Sequence, residues 1–284
     1  MPLLKEYHVL SLGAGVQSTT VYLLSLDSQL PLFDAAIFAD TQEEPEHVYR
    51  HLEWLQGLRG APIYVRTRGK LGDDLLKGLN STGQRFISIP AYTKPDGLPG
   101  TAVGMTRRQC TKEYKTSIID RTIRREILGL KWRQRWSSDV IVHNYFGISA
   151  DEAGRARRIE AVVRMHQPNY RPHFPLLDLN WTRADCIRFL EGRVPHQVGR
   201  SACVFCPFKS DAEWLRLKRH DPSGWARAVE VDEGLRSPEA RKSNRKFDHA
   251  LYIHRSGRPL AEADLNERQG TLGFLAECEG LCGV

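Results

Sequence analysis

The segment 8–24 constrains the fold of this chain more than any other. A short apolar run, His8 to Leu12, leads directly into a loop of glycine, alanine and serine. Apolar residues then follow from Val21 to Leu24 with the spacing of a helix. Backbone N–H groups that are left without partners at the start of a helix favour a bound anion, as does the helix dipole. The segment therefore predicts a strand, a phosphate-binding loop and a helix, in that order.

The loop supplies residue types that suit a phosphate. Glycine lets the backbone approach a ligand closely, and hydroxyl groups add hydrogen-bond donors. The candidate phosphate-binding residues are Ser11, Gly13, Gly15, Gln17, Ser18 and Thr19. The loop is not a Walker A motif, which needs a lysine, and Ser18 stands where a G-x-G-x-x-G motif has its third glycine. A tight strand-to-helix turn that binds nothing remains an alternative at this stage.

Strand and helix patterns alternate along the first two thirds of the chain. Strands are predicted at 7–12, 34–39, 62–66 and 139–148, and helices at 17–26, 46–58, 111–129, 151–165 and 182–190. Residues 80–106 are rich in Gly, Pro, Ser and Thr and predict a long surface loop. The alternation favours an α/β fold, a parallel sheet with helices on both faces, whose ligands bind beyond the carboxyl ends of the strands. The pattern changes near residue 192, which predicts a nucleotide-binding domain over 1–191 and a cysteine-containing module over 192–284.

Charge and hydropathy narrow the class of protein. A hydrophobic content of 41% with no apolar run of membrane-spanning length, and no signal-peptide pattern, favour a cytoplasmic protein without a membrane segment. The net charge of +7 favours anionic partners. Ten Lys and Arg residues between 107 and 135 face only three acidic residues, so DNA or tRNA is a candidate partner.

Four segments, in chain order, resemble one superfamily. Residues 11–18 (SLGAGVQS) resemble the PP-loop of the adenine nucleotide alpha-hydrolases. Residues 37–46 (IFADTQEEPE), 147–155 (GISADEAGR) and 175–182 (PLLDLNWT) resemble segments of phosphoadenosine phosphosulfate reductases and their relatives. The resemblance implies a Rossmann-like sheet of the PP-loop type that binds ATP, or phosphoadenosine phosphosulfate, with Mg²⁺.

The same resemblance implies further contacts to the nucleotide. Asp40 would lie near the ribose, the adenine or a magnesium ion, and Gly147 would lie in the phosphate-facing loop. Arg155 and Arg158 would face phosphate or sulfate, for which the planar guanidinium is suited. From the residues alone, Asp40 could instead be a helix N-cap, and the two arginines could lie on a solvated helix face.

The cysteines predict a metal or redox site. The chain contains Cys110, Cys186, Cys203, Cys206, Cys278 and Cys282. In adenylyl-sulfate reductases a cysteine pair joins a later C-x-x-C to hold a [4Fe–4S] cluster, but Gln109 stands here where that pair would be complete. The predicted ligands are Cys110, Cys203 and Cys206, which would leave one iron of the cluster open unless Cys282 or Cys278 is a fourth ligand. A zinc site and unliganded thiols are the alternatives, and Cys186 is predicted to be a packing residue.

The end of the chain resembles the mobile tail of the phosphoadenosine phosphosulfate reductases. That tail carries a glutamate-cysteine-glycine motif, whereas here Glu277-Cys278 is followed by Glu279. Cys278 is therefore a candidate nucleophile, and Cys110 is a second candidate catalytic thiol.

Three functions are consistent with these features. The preferred one is an ATP pyrophosphatase that adenylylates a substrate, for which nucleic acid is favoured, and supports sulfur transfer to it. A sulfonucleotide reductase that releases sulfite through Cys278 is the second, and a nucleotide- or cluster-sensing nucleic-acid-binding protein is the third. A cysteine desulfurase or thiol reductant is a possible partner, and a homodimer is a possible assembly.

Overall fold

A computed structural model describes residues 4–77, 87–95, 104–166, 169–238 and 249–265. The strands are β1 (Lys5–Leu12), β2 (Ala35–Asp40), β3 (Ile63–Thr67), β4 (Tyr92–Pro95), β5 (Gly104–Met105), β6 (Val140–Phe146), β7 (Tyr170–His173) and β8 (His249–Tyr252). The α-helices are α1 (Val16–Leu26), α2 (Glu46–Gln56), α3 (Leu71–Lys77), α4 (Ser117–Thr122), α5 (Ala153–His166), α6 (Pro175–Asp178), α7 (Arg183–Leu190), α8 (Asp211–His220) and α9 (Pro222–Gly234). Two π-helical stretches, Thr111–Thr116 and Ile123–Ile127, flank α4.

The main sheet has five strands in the order β3-β2-β1-β6-β7, and every neighbouring pair is parallel. Successive side chains of a strand point to opposite faces, so Leu10 and Val9 of β1 belong to different cores. Leu10 packs in the cluster that contains apolar residues of α1, α2 and α7. Val9 packs with apolar residues of α4 and α5. The predicted α/β fold with helices on both faces of a parallel sheet is confirmed.

The sheet reverses its strand order between β1 and β6. The chain proceeds outward from β1 through β2 to β3, then returns to place β6 on the other side of β1. In doubly wound sheets, the crevice beyond the carboxyl ends of such strands is where ligands bind. The loop after β1 and the loop after β6 therefore meet at the position that the fold class assigns to a ligand.

A second core lies outside the main sheet. Strands β5, β4 and β8 form a small antiparallel sheet, with β4 in the middle. The accompanying apolar cluster joins Leu71, Ile89 and Tyr114 to Trp214 and Val231 of the carboxyl-terminal third. Residues from both sides of position 191 thus share one core, and the predicted domain boundary there stays a prediction.

The predicted surface loop over 80–106 is wrong where the structure describes it. Ile87, Ile89 and Ala91 are buried, and residues 92–95 form β4. Gly, Pro, Ser and Thr dominate the composition of the segment, but the apolar residues between them, Ile87, Ile89 and Ala91, are buried directly before β4. Among the helices of the described ranges, none combines the length and the hydropathy that a membrane crossing requires.

Candidate functional site

The loop between β1 and α1 is buried and internally bonded. The Ser18 hydroxyl accepts hydrogen bonds from the backbone N–H groups of Gly13 at 3.2 Å and Gly15 at 3.3 Å. Ala14 between them has φ +56°, in the left-handed region that non-glycine residues seldom adopt. Ser18 thus organises the loop, because one hydroxyl holds two of its backbone N–H groups in place.

Helix α1 begins directly after this loop. Gly15 is the N-cap with extended backbone, and the first turn carries no acidic residue in this fully described helix. The partial positive charge of the helix start is therefore not offset by a carboxylate on the helix's own first turn. This electrostatic arrangement suits an anion.

Ser11 occupies a different place from the one that its motif suggests. It is 1% exposed, and its hydroxyl donates to Asn144 Oδ1 of β6 at 3.0 Å. The Asn144 amide in turn donates to the hydroxyl of Tyr170 on β7. This chain of side chains connects β1, β6 and β7 below the loop, so the observed role of Ser11 is to fix the strands that carry the site.

The Thr19 hydroxyl also contacts a buried side chain of the protein. Its hydroxyl lies 2.8 Å from His51 Nε2, and His51 Nδ1 lies 2.8 Å from His196 Nε2. Burial, followed by the nearby histidines 196 and 47, lowers the pKa of His51 to about 4. The His51 ring is therefore neutral near pH 7, and it fixes Thr19 on the side of α1 that faces α2.

Gln17 connects the loop after β1 with the loop after β6. Its amide nitrogen donates to Ser149 Oγ at 3.1 Å and to Glu152 Oε2 at 3.0 Å. Its amide oxygen accepts from Arg183 Nη1 of α7 at 2.7 Å. Gln17 itself is 1% exposed. One buried side chain thus fixes three separate segments at the position where the strand order reverses.

The two candidate arginines lie in different environments. Arg155 is 5% exposed, and its guanidinium donates to Glu152 Oε1 at 3.1 Å, which links it to the Gln17 network. Arg158 is exposed on α5. Gly147 is buried in the first position after β6. The structure therefore places Gly147 and Arg155 where the strand order reverses between β1 and β6, whereas Arg158 lies on a solvated helix face.

Asp40 ends β2 at the same edge of the sheet. Its Oδ1 accepts from the backbone N–H of Gln42 at 2.7 Å and from the Tyr49 hydroxyl at 2.9 Å. Burial raises the pKa of this carboxyl group. The alternative that Asp40 caps the next helix is wrong, because α2 begins six residues later with Pro45 as its N-cap. The extra residues form a turn with Gln42 in the left-handed region.

A buried ion pair follows in the same loop. Lys115 Nζ lies 3.1 Å from Glu44 Oε1, and the other carboxylate oxygen accepts from the Ser201 hydroxyl at 3.2 Å. Lys115 belongs to the basic segment that predicts nucleic acid, yet it is 4% exposed. Its charge is used inside the protein and does not form part of the basic surface.

One of the described cysteines, Cys203, contacts the loop after β2. Cys203 Sγ is 3.1 Å from the Thr41 hydroxyl, and Cys110 and Cys203 pack, partly buried, against the same apolar cluster. The backbone N–H of Cys206 donates to the Cys203 carbonyl at 2.9 Å, which closes a tight turn. Cys186 is fully buried in α7, which confirms the packing role predicted for it.

The predicted metal ligands form no complete set in the part of the chain that the structure describes. There, no three His, Cys, Asp or Glu side chains are grouped closely enough to hold a metal ion. Cys278 and Cys282 lie outside the described residues. The [4Fe–4S] cluster and the zinc alternative stay predictions, and the arrangement of described thiols does not by itself make a site for either.

No family model and no curated protein matches this chain. The function is therefore argued from the site. Sequence reasoning missed Asn144, Ser149, Glu152 and Arg183 as site residues. The signal for them was available in part, because Ser149 and Glu152 stand within the segment 147–155 and Arg183 directly follows the segment 175–182.

Proposed function

We propose that the chain is a PP-loop enzyme that binds ATP with Mg²⁺ at the carboxyl ends of β1, β2 and β6. The observation that carries the proposal is the Gln17 network, which joins the loop after β1 to the loop after β6. A turn that served only to connect a strand to a helix would not need a buried amide with three partners on two other segments. Such a network pre-organises a ligand site by fixing both of its walls.

The proposed reaction is the adenylylation of an acceptor oxygen. The oxygen attacks the α-phosphorus of ATP, the bond between that phosphorus and the β-bridging oxygen breaks, and pyrophosphate leaves. The phosphate chain would face the Gly13–Gly15 backbone and the start of α1, where positive charge is fixed in advance of the reaction. Arg155 supports the same wall through Glu152.

In the second step, the terminal sulfur of a cysteine persulfide would attack the carbon that carries the activated oxygen, and AMP would leave with that oxygen. A second thiol would then cleave the S–S bond between the cysteine and the substrate, forming a protein disulfide that a thiol reductant returns to thiols. The persulfide sulfur would come from a cysteine desulfurase, and the two protein thiols would be drawn from Cys110, Cys203, Cys206 and Cys278. The acceptor would be nucleic acid, which the exposed cations of residues 107–135 favour. Exposed members of this set are Arg107, Lys112, Arg121, Lys131, Arg133 and Arg135. Because free thiols need a reducing compartment, a cytoplasmic location is part of the proposal.

Pyrophosphate release from ATP by anaerobically purified protein tests the first step. We expect Ser18→Ala to reduce that release by at least tenfold, since the Gly13 and Gly15 N–H groups lose their common acceptor. Ser25→Ala is the matched control, because Ser25 is also a buried serine of α1 but donates to Pro31 O at the other end of the helix. Equal loss in both variants would contradict a specific role of the loop.

A parallel incubation with phosphoadenosine phosphosulfate and a thiol reductant tests the reductase alternative. Sulfite release that disappears in Cys278→Ser would make the protein a sulfonucleotide reductase and overturn the proposal. Pyrophosphate from ATP without sulfite supports it. Salt-dependent nucleic-acid binding without either product would instead indicate a binding protein.

A further inference from the structure

A cleft of about 400 Å³ is lined by both charged and apolar side chains. It lies between the starts of α2, α7 and α8 and the segment 197–200. Arg183 lines this cleft and also donates to Gln17 at 2.7 Å. The Arg183 side chain therefore connects the cleft to the first turn of α1, which follows the loop that would hold the phosphates of ATP.

The cleft presents basic side chains from separate elements. Arg50 comes from α2, Lys209 from the segment before α8, and Arg216 from α8 itself. Arg50 and Arg216 are exposed to solvent. Because the three cations belong to different segments, their convergence on one cleft is a property of the fold and not of a local charge run.

The acidic side chains of the cleft have partners within the protein. Asp221 caps α9, accepting from the Gly224 N–H at 2.8 Å, and it also accepts from the Glu46 N–H at 3.3 Å. Glu213 accepts from Arg200 Nη1 at 3.1 Å and from the Ser210 N–H at 2.7 Å. Glu46 lies 3.8 Å from Arg50 in an exposed pair, which solvent screens. The cleft therefore retains an excess of positive charge.

Apolar and aromatic side chains line the cleft between the charged ones. Ile187 lines the cleft and is 44% exposed, and Val198, His47 and His220 line it as well. The His47 ring is exposed to solvent in the cleft. The combination of cations with apolar and aromatic surface is the one that binds single-stranded nucleic acid, where cations hold phosphates and rings contact bases.

We infer that this cleft binds one nucleotide of a single-stranded nucleic acid, which is the acceptor of the proposed adenylylation. Its volume is at the small end of ligand sites, which suits a nucleotide. A duplex keeps its bases stacked, whereas an enzyme that modifies a base needs that base unstacked. The phosphates flanking the bound nucleotide contact Arg50, Lys209 and Arg216. This inference rests on the proposed function, because only a neighbouring nucleotide site makes the bound strand an acceptor.

Fluorescence anisotropy with a labelled random-sequence 12-nucleotide RNA, and with the matching DNA, tests the inference on the full chain. We expect Arg50→Gln and Arg216→Gln each to weaken binding roughly fivefold and to lower the salt slope by about 0.7, the value for one lost phosphate contact. Arg59→Gln is the control, because Arg59 is exposed beyond the other end of α2 and does not line the cleft. ATP binding is measured on the same samples by calorimetry.

The two binding measurements separate the inference from the proposed function. Weaker oligonucleotide binding in both cleft variants, with unchanged ATP binding and an unchanged Arg59→Gln control, supports the inference. If the cleft variants lose ATP and keep the oligonucleotide, the cleft belongs to the nucleotide site and the inference is overturned. Equal weakening in all three variants, or no oligonucleotide binding by the wild type, also overturns it. If the cleft binds the oligonucleotide but the protein never binds ATP, the proposed function fails and the acceptor role with it, while the cleft remains a nucleic-acid site.

Discussion

Arg183 Nη1 donates to Gln17 Oε1 at 2.7 Å, across 166 positions of sequence. This bond fixes the start of helix α7 to the first turn of α1. Because Arg183 also lines the cleft, the bond connects the cleft to the candidate nucleotide site. The Gln17 amide nitrogen completes the junction through Ser149 and Glu152. The site is therefore assembled from three loops by one amide, and that amide is the most direct point at which to test it.

We expect Gln17→Ala to lower the free energy of unfolding by about 1–3 kcal/mol, because Ser149 loses a buried hydrogen bond and Glu152 and Arg183 each lose a partly buried one. Pyrophosphate release should fall further, by about 10- to 100-fold, since the two walls of the site are no longer held together. Urea unfolding and the pyrophosphate assay check the two effects. Gln29→Ala, at an exposed position just after α1, is the control and should change neither. Unchanged activity in Gln17→Ala would show that the network is structural only.

The buried pair of Glu44 and Lys115 predicts a strong dependence of stability on either charge. Lys115→Met should cost about 3–5 kcal/mol, because it leaves the Glu44 carboxylate buried without its counter-ion. Glu44→Gln combined with Lys115→Met should recover part of that loss, since no charge then remains buried. Urea midpoints of the two singles and the double measure the coupling. Lys112→Met, on an exposed residue of the same helical stretch, should have little effect. Simple additivity of the two losses would argue against a coupled pair.

His51 predicts a loss of stability in acid. Its pKa is lowered from 6.5 to about 4 in the folded state, so between these values the unfolded chain binds more protons and stability rises with pH. His51 therefore contributes fully above pH 6.5, and up to about 3 kcal/mol is lost as the pH falls from 6.5 towards 4. Urea unfolding of the wild type and of His51→Gln at pH 7.5, 6 and 5 checks this.

His254, which is buried, also has a lowered pKa, so both proteins should weaken in acid. The difference between them isolates His51. The wild type should lose more stability than His51→Gln over this range, and parallel curves would contradict the prediction.

Two substitutions of Asp40 distinguish the structural role of its oxygen from the role of its negative charge. Asp40→Asn keeps an oxygen that can accept from the Gln42 N–H and the Tyr49 hydroxyl, so its urea midpoint should stay close to that of the wild type. Asp40→Ala loses that acceptor and should cost about 1–2 kcal/mol. If Asp40 holds magnesium, Asp40→Asn should lower magnesium-dependent pyrophosphate release by at least tenfold, because a neutral amide is a poorer ligand for Mg²⁺. Full activity of the well-folded Asp40→Asn protein would exclude magnesium binding by Asp40. A contact of Asp40 with the ribose or the adenine would then be the remaining role.

Two predictions relied on average composition, the surface loop over 80–106 and the basic segment over 107–135, and in both the average concealed individual buried residues. Counting small and polar residues over 80–106 hid the buried residues Ile87, Ile89 and Ala91 and the strand β4 that follows them, because tertiary burial acts on single residues and not on average composition. Counting charges over 107–135 similarly included Lys115, which is buried against Glu44. Neither partner could be assigned from the sequence, since Glu44 and Lys115 are 71 positions apart.

The sequence by itself determined the alternation of β1, α1, β2, α2 and β3, the parallel α/β class and the loop at residues 11–18, because alternation, glycine placement and helix-start chemistry are local. The tertiary structure decided which face each strand buries, and that Ser11 and Thr19 bond to Asn144 and His51. It also decided that Gln17 joins three segments and that a basic cleft opens beside them. These contacts depend on chain reversals that bring distant residues within 3 Å or so of each other, and no local pattern specifies such distances.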